Sequence, residues 1–416
     1  MRHVIIGAGP AGVTAAENLR QLDAEAEIIL LGVEPEPIYS RMAIPYYLAN
    51  KIDETGTYLR SNPAHLSNLN IQHRRIRVSS VDADTQHLQL SDGDTLSYDR
   101  LLVATGSHAV KPPVEGLEQK GILHCWTLED ARTISQLAQP GAQVTLMGAG
   151  FIGCIVMEAL IGRGVDLTVV EMGDRMVPRM MDQAAGNLIK QWCIAKGVKI
   201  HTSTRITAVT AGDAASATYK LQCEPAADIV ADLIVVATGV KPNIDFLETS
   251  GIATADGVLV DVYQQSSIPN IYAAGDVCEG FDWNSGQPVV NAIQPAAVET
   301  GRNAALNMAG FPTPYAGSLA MNVLDTLGLI STSYGLWMGT EHSESASQLD
   351  ADNYRYINLQ FEQDRLIGAI TLGMTNHVGV LRGLIQSRTR LGVWKQRLLD
   401  DPSQLMQAYV ATTTAS

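Results

Sequence analysis

An α/β protein with two doubly wound parallel-sheet units, followed by an α+β domain, is what this 416-residue chain predicts. Two segments carry the prediction. Val4-Ile5-Ile6-Gly7-Ala8-Gly9-Pro10-Ala11-Gly12 reads as an apolar strand, a Gly-x-Gly-x-x-Gly turn and the start of an apolar helix. Thr145-Leu146-Met147-Gly148-Ala149-Gly150-Phe151-Ile152-Gly153 reads the same way. Composition agrees with large buried cores, with 46% apolar and 17% charged residues. The length exceeds one typical domain, so two or three are expected.

Around the first turn, residues 2–6 are expected as a buried strand, 11–21 as a helix and 28–31 as the next strand. A Gly-x-Gly-x-x-Gly motif in this βαβ setting is a dinucleotide-binding fingerprint. Gly7 allows the tight turn, Gly9 lets the backbone approach a pyrophosphate, and Gly12 lets the helix pack close to the strand. Pro10 and Ala11 open the helix and count among the cradle residues, because free N–H groups and the helix dipole favour an anion there. Glu34, past the second strand, is placed to accept from a ribose hydroxyl.

The second turn repeats this Rossmann-like logic. Residues 143–147 form the strand, and Gly148, Gly150 and Gly153 form the motif. Phe151 and Ile152 open the helix, and 167–170 is the next strand. Glu171 at its end accepts from an adenosine 2′-hydroxyl and repels a 2′-phosphate, so NADH is expected over NADPH. Arg175 and Arg179 stand close behind and offer charge to a 2′-phosphate. Two cradles imply two dinucleotides, with electrons passing between them.

Three further segments join the cradles. Leu101-Leu102-Val103-Ala104-Thr105-Gly106 and Ile234-Val235-Val236-Ala237-Thr238-Gly239 are buried strands ending in small-residue turns. Asn270-Ile271-Tyr272-Ala273-Ala274-Gly275-Asp276 sets an acid after a strand. In this order of motifs the whole chain resembles the two-dinucleotide flavoproteins of the pyridine nucleotide–disulfide oxidoreductase superfamily. The resemblance implies FAD in the first cradle, NAD(P)H in the second, and Asp276 on the flavin's ribityl chain or phosphate. Ala104, Thr105 and Gly106 would line the first cradle, Thr238 and Gly239 the second, and Gln294, at the start of a helix, would meet the flavin ring. It also implies a split architecture: residues 1–110 and 241–312 binding FAD, 111–240 an inserted NAD(P)H-binding domain, and 313–416 a C-terminal α+β, interface-like domain. Lys111-Pro112-Pro113 and Lys241-Pro242-Asn243 mark the crossings. In the last domain, runs 354–361 and 366–372 around a turn at 362–364 predict a hairpin, with helices near 378–386 and 393–399.

Within the superfamily the chain resembles the thiol-free branch: rubredoxin and ferredoxin reductases and the flavin modules of nitrite reductases. No cysteine occurs among residues 1–124, and where single-cysteine relatives carry sulfur this chain has Met42. A thiol relay needs a thiolate against the flavin. His377 has no following glutamates, so a loop or helix-start role is expected for it. The Tyr39-Ser40-Arg41 segment matches the thiol-free branch, which puts Arg41 at the FAD pyrophosphate, where a guanidinium offers two parallel hydrogen bonds. A Lys–Glu pair of several ferredoxin reductases is replaced here by Tyr46 and Ile155.

The expected activity is therefore FAD-dependent oxidation of NADH with electrons passed to a redox protein such as rubredoxin or ferredoxin. The alternatives are a flavin subunit of a larger, nitrite-reductase-like complex and an NADH oxidase using oxygen. Net charge is −14, which disfavours nucleic acid, yet residues 380–397 hold Arg382, Arg388, Arg390, Lys395 and Arg397 with no acid. An acidic iron–sulfur carrier or a partner redox subunit is expected to dock there. Five scattered cysteines without a C-x-x-C pair argue against a disulfide scaffold or zinc site and suit a reducing cytoplasm. No apolar run is long enough for a membrane span.

Overall fold

The computed structural model describes residues 1–119, 121–212, 218–376 and 378–413. His377 lies outside them. The chain divides into two compact units: 1–47, 52–108 and 240–318 form the first, and 48–51, 109–239 and 319–416 the second.

The first unit is built on a five-stranded parallel sheet in the order Ile271–Ala273, Arg100–Val103, Arg2–Ile6, Glu27–Gly32, Ile71–Arg75. These strands read as continuous apolar runs because both faces are covered. Alternate residues serve the two faces. Val4, Ile6, Ile29 and Leu31 pack with Val78, Leu88 and Leu96 of a three-stranded meander. Ile5, Ile28 and Leu30 pack with Val13 and Leu19 of the helix Pro10–Leu22 and with Ala304 and Met308 of the helix Gln294–Met308. Those helices touch backbone to backbone: a β-carbon on Gly301 would lie 2.4 Å from the Ala11 carbonyl oxygen. The strand order reverses beside Arg2–Ile6, which puts the first glycine turn at the switch point where open parallel sheets bind ligands.

The second unit repeats the plan. Its parallel sheet runs Lys199–His201, Asp166–Val170, Gln143–Met147, Leu233–Val236, Ile122–His124, with the reversal beside Gln143–Met147. A three-stranded antiparallel meander, Arg205–Ala211, Tyr219–Glu224 and Ile229–Ala231, again covers one face. The same unit holds a five-stranded antiparallel sheet, ordered Met321–Thr326, Leu329–Gly335, Arg365–Leu372, Arg355–Glu362, Glu344–Asp350. Arg355–Glu362 and Arg365–Leu372 form a hairpin, and helices Val378–Gln386 and Val393–Asp400 follow. A further helix, Leu405–Thr413, falls in a tail to which the sequence assigns no element. The two parts of this unit are tied by Asp182, which accepts from the Tyr356 hydroxyl at 2.7 Å and from Asn358 Nδ2 at 3.0 Å. Trp192 adds a bond from Nε1 to the Thr326 carbonyl at 3.1 Å. Among the described residues no helix is long and apolar enough to cross a membrane.

His3 sits inside the first strand, 1% exposed, with no partner for Nδ1. Burial lowers its pKa to about 4, and burial lowers those of His73 and His124 as well. Between the folded and unfolded values the unfolded chain binds more protons, so stability falls as pH drops from about 6.5 toward 4. For His3 alone the loss between about pH 8 and pH 5 is on the order of 2 kcal/mol. Urea midpoints at those pH values, compared between the native chain and His3→Val, should show a smaller acid-induced drop in the variant. An equal drop would mean that His3 titrates normally.

Candidate functional site

Each glycine turn presents three glycines with different causes. Gly7 has φ of 114°, and a β-carbon on it would stand 2.1 Å from the Ala104 carbonyl oxygen. Gly12 would collide with the Gly7 carbonyl oxygen at 1.9 Å. Gly148 (φ 101°) and Gly153 meet Ala237 and Gly148 carbonyl oxygens in the same way, at 2.5 and 2.2 Å. Gly9 and Gly150 differ. Their φ values, −81° and −76°, suit any residue, and a β-carbon on either would touch nothing within 4 Å. Packing explains four glycines; the other two keep a space clear in front of a helix start.

Those helix starts carry no side-chain cap: Gly9 and Gly150 are the N-cap residues of Pro10–Leu22 and Phe151–Gly162. By contrast Thr127 and Asp182 cap their helices with side-chain oxygens. Open space, uncapped N–H groups and the positive end of the helix dipole fit a pyrophosphate.

Around the first cradle, Glu34 accepts from the Arg41 guanidinium and the Tyr39 hydroxyl, and Arg41 also donates to Tyr39 Oη at 2.7 Å. Each carboxylate oxygen has a second lone pair for a ribose hydroxyl. Asp276 is half-buried at the start of a short 3₁₀ turn and accepts from Ser107 Oγ at 2.9 Å. Burial raises its pKa, against the Ser107 bond and the Arg41 charge, which lower it. Gly275 lies between two helices: its N–H donates to Thr300 Oγ1, and a β-carbon would stand 3.0 Å from Ala11 Cβ. Gln294, the first residue of its uncapped helix, accepts from Ser40 Oγ at 2.5 Å.

The threonines of the two Ala-Thr-Gly turns have their hydroxyls committed to the linkers. Thr105 Oγ1 donates to the Asn243 carbonyl at 3.0 Å, and Asn243 Nδ2 returns a bond to the Thr105 carbonyl. Thr238 Oγ1 donates to the Val110 carbonyl at 3.1 Å. Gly106 (φ 65°) and Gly239 (φ 118°) supply the left-handed turns behind them, and the open side of each turn is backbone.

In the second cradle Glu171 is held on both oxygens, by the N–H groups of Ala149 at 2.7 Å and Gly173 at 2.6 Å. Arg175 donates to the carbonyls of Met181 and Pro178 and to Asp174. Arg179 is exposed. Ser40, Ser107 and Asn243 are the neighbours that sequence reasoning does not assign. Ser107 directly follows the first Ala-Thr-Gly turn, which is the only local signal for it.

The basic run is less free than its sequence suggests. Lys395 is paired with Glu344 of a neighbouring strand, and the Arg397 guanidinium stacks on Trp394 at 4.5 Å. Arg382, Arg388 and Arg390 are exposed. All five cysteines are buried and unbridged. Burial raises Cys125, Cys193 and Cys278 to about 12, Cys154 further, and Cys223 upward, so none is an accessible thiolate. Among the described residues no cluster of His, Cys, Asp and Glu could hold a metal.

The family model of pyridine nucleotide-disulphide oxidoreductases matches residues 1–296. The chain belongs to that family. Within it, the chain is 30% identical to the NADH-dependent phenylglyoxylate dehydrogenase subunit epsilon of Aromatoleum evansii, over 96% of this chain and 95% of that one. It is 28% identical to a rubredoxin-NAD(+) reductase of Pseudomonas putida, over 93% and 99% of the two chains. The solved putidaredoxin reductase in its covalent complex with putidaredoxin shares the fold, with a TM-score of 0.89, 24% identity and 99% coverage of both chains. Membership of the oxidoreductase family implies a flavin and NAD(P)H, and the chain is an enzyme of NAD(P)H-dependent flavin chemistry.

The glycines separate folding from binding. Gly9→Ala should fold with the thermal stability of the flavin-free native chain yet lose the yellow colour, since its β-carbon enters only the open space. Gly150→Ala should stay yellow and bind nicotinamide coenzyme at least about tenfold more weakly. Gly12→Ala should not fold, because its clash is with backbone. Absorbance spectra and melting curves of the three variants check this; a yellow Gly9→Ala protein would contradict the assignment of the first cradle.

Proposed function

We propose that this chain is an FAD-dependent oxidoreductase that oxidises NADH and passes the electrons to a small iron–sulfur redox protein. One observation carries the reading: two glycine cradles with the same strand order, each with a glycine that no protein contact requires, at an uncapped helix start. Bound FAD supplies the redox chemistry, accepting hydride and releasing electrons one or two at a time. Everything asked of the protein is binding and orientation, so no side-chain acid or base is required.

In this reading Gly7, Gly9, Pro10, Ala11 and Gly12 hold the FAD pyrophosphate, with Arg41 beside it and Glu34 on a ribose. Ala104, Thr105 and Gly106 contribute backbone, Gly275 and Asp276 meet the ribityl chain or phosphate, and Gln294 stands at the ring. Gly148, Gly150, Phe151, Ile152, Gly153, Thr238 and Gly239 hold NADH, with Glu171 on the adenosine ribose. The domain division is 1–110 with 241–312 for FAD, 111–240 for NADH and 313–416 for the C-terminal part. NADH is preferred over NADPH because Glu171 would repel a 2′-phosphate, while the Arg175 guanidinium is engaged by the Met181 and Pro178 carbonyls and by Asp174. A cytoplasmic setting is in keeping with five unbridged cysteines.

The carrier is expected at Arg382, Arg388 and Arg390, where an acidic partner gains association rate from charge. A second reading is a flavin subunit of a larger complex, favoured by the end-to-end match to a dehydrogenase subunit. Reduced protein prepared without air and mixed with rubredoxin, ferredoxin, a disulfide or oxygen distinguishes these. Fast reoxidation by an iron–sulfur carrier alone is expected, and the double variant Arg388→Glu/Arg390→Glu should slow it about tenfold at low salt. Reoxidation by a disulfide, or by air alone, would overturn the carrier reading. Inertness toward all four would favour the subunit.

A further inference from the structure

Helix Gln183–Ala195 contains an unexplained residue. Gly186 lies in its first half, where glycine costs about 1 kcal/mol against alanine. A β-carbon there would stand 2.7 Å from the Met176 carbonyl oxygen and 2.9 and 3.0 Å from Cβ and Cγ of Arg175. The helix is thinned to admit the stem of one arginine. That arginine is mostly buried, its side chain 20% exposed. Its Nε donates to the Met181 carbonyl at 2.9 Å, Nη2 to the Pro178 carbonyl at 3.3 Å and Nη1 to Asp174 at 2.8 Å.

Just before Pro178 lies Val177, 1% exposed, with φ of 50°. A β-branched residue in that region is strained by about 1–3 kcal/mol and persists only where its surroundings fix it. Its N–H donates to the Ala149 carbonyl at 2.8 Å. Ala149 is the middle residue of the second glycine turn, and its own N–H donates to Glu171. Both polar groups of that turn residue are therefore held by the strap running from Glu171 to Met181. On its other side the strap is fixed by Ser203 N–H to the Gly173 carbonyl at 2.7 Å and Thr204 N–H to the Glu171 carbonyl at 3.0 Å.

We propose that Arg175 is a positioning residue for coenzyme selectivity. It ties the strap so that Ala149 and the Glu171 carboxylate keep their places, and its own guanidinium is engaged by the Met181 and Pro178 carbonyls and by Asp174. Gly186 is the complementary feature: it makes room for the arginine's inward course. The proposal rests on the reading that Glu171 meets the adenosine ribose.

The test is calorimetric binding of AMP and of 2′-phospho-AMP to the yellow holoprotein, with no turnover. The native chain should prefer AMP. Arg175→Lys keeps the charge but not the fork, and Gly186→Ala presses on the strap at the Met176 carbonyl and on the arginine's stem while leaving the Glu171 side chain itself unaltered. Both should narrow the preference about tenfold, as expected when a binding group shifts by a fraction of an ångström. A purely structural role would lower melting temperature and leave the ratio alone. Glu171→Gln is the control. If it narrows the preference while Arg175→Lys and Gly186→Ala keep the native ratio, the role of Arg175 is wrong. If Glu171→Gln also leaves the ratio unchanged, the ribose assignment fails and the inference falls with it.

Discussion

A carbonyl oxygen at the end of a neighbouring strand occupies the place of a missing β-carbon in both units: that of Ala104 against Gly7, and that of Ala237 against Gly148. This close approach sets the angle at which the first helix leaves each sheet. The third glycine of each turn then lets the helix sit on the turn's own backbone. Because these contacts are between backbone atoms, they do not relax, and the helix start is aimed at one point. In the first unit the same economy recurs at Gly301 and Gly275, which bring a second helix and the Asp276 turn beside that point.

The two cradles share this frame and differ in how the acid is held. Glu171 is fixed by backbone N–H groups on both oxygens, so its position depends on the loop. Glu34 is held by the side chains of Tyr39 and Arg41, so its position depends on the segment that also delivers Ser40 to Gln294. The first arrangement fixes the acid to backbone, and the second couples it to the neighbourhood expected for the flavin ring. No thiolate takes part in either, since every thiol is buried and shifted away from ionisation; Cys154 only donates its S–H to the Ala149 carbonyl at 3.7 Å.

Much of this was legible because it is local. The apolar run ending at Gly148 marked the strand Gln143–Met147, the apolar spacing near 378–386 marked the helix Val378–Gln386, and the order of the strand-end motifs implied the duplicated sheet. What escaped depends on residues far apart in the chain. The Thr105 hydroxyl bonds Asn243, 138 positions away, so a threonine of an Ala-Thr-Gly turn looks like a ligand contact until the linker is in place. Lys395 meets Glu344, 51 positions away, which lessens a charge run that seems unopposed in sequence. The role of Arg175 needs Gly186 on one side and Ala149 on the other, and the helix Leu405–Thr413 has too short an apolar pattern to stand out at the end of the chain.

The central claim is that a single flavin, fed by NADH and unaided by thiols, is the redox centre of the chain. An anaerobic titration of the yellow protein, followed by its visible absorbance, tests it most directly. Complete bleaching with one equivalent of NADH is expected, and an end point of two electrons per flavin with dithionite. A four-electron end point would reveal a redox-active sulfur pair, and failure of NADH to bleach the flavin would contradict NADH as its reductant.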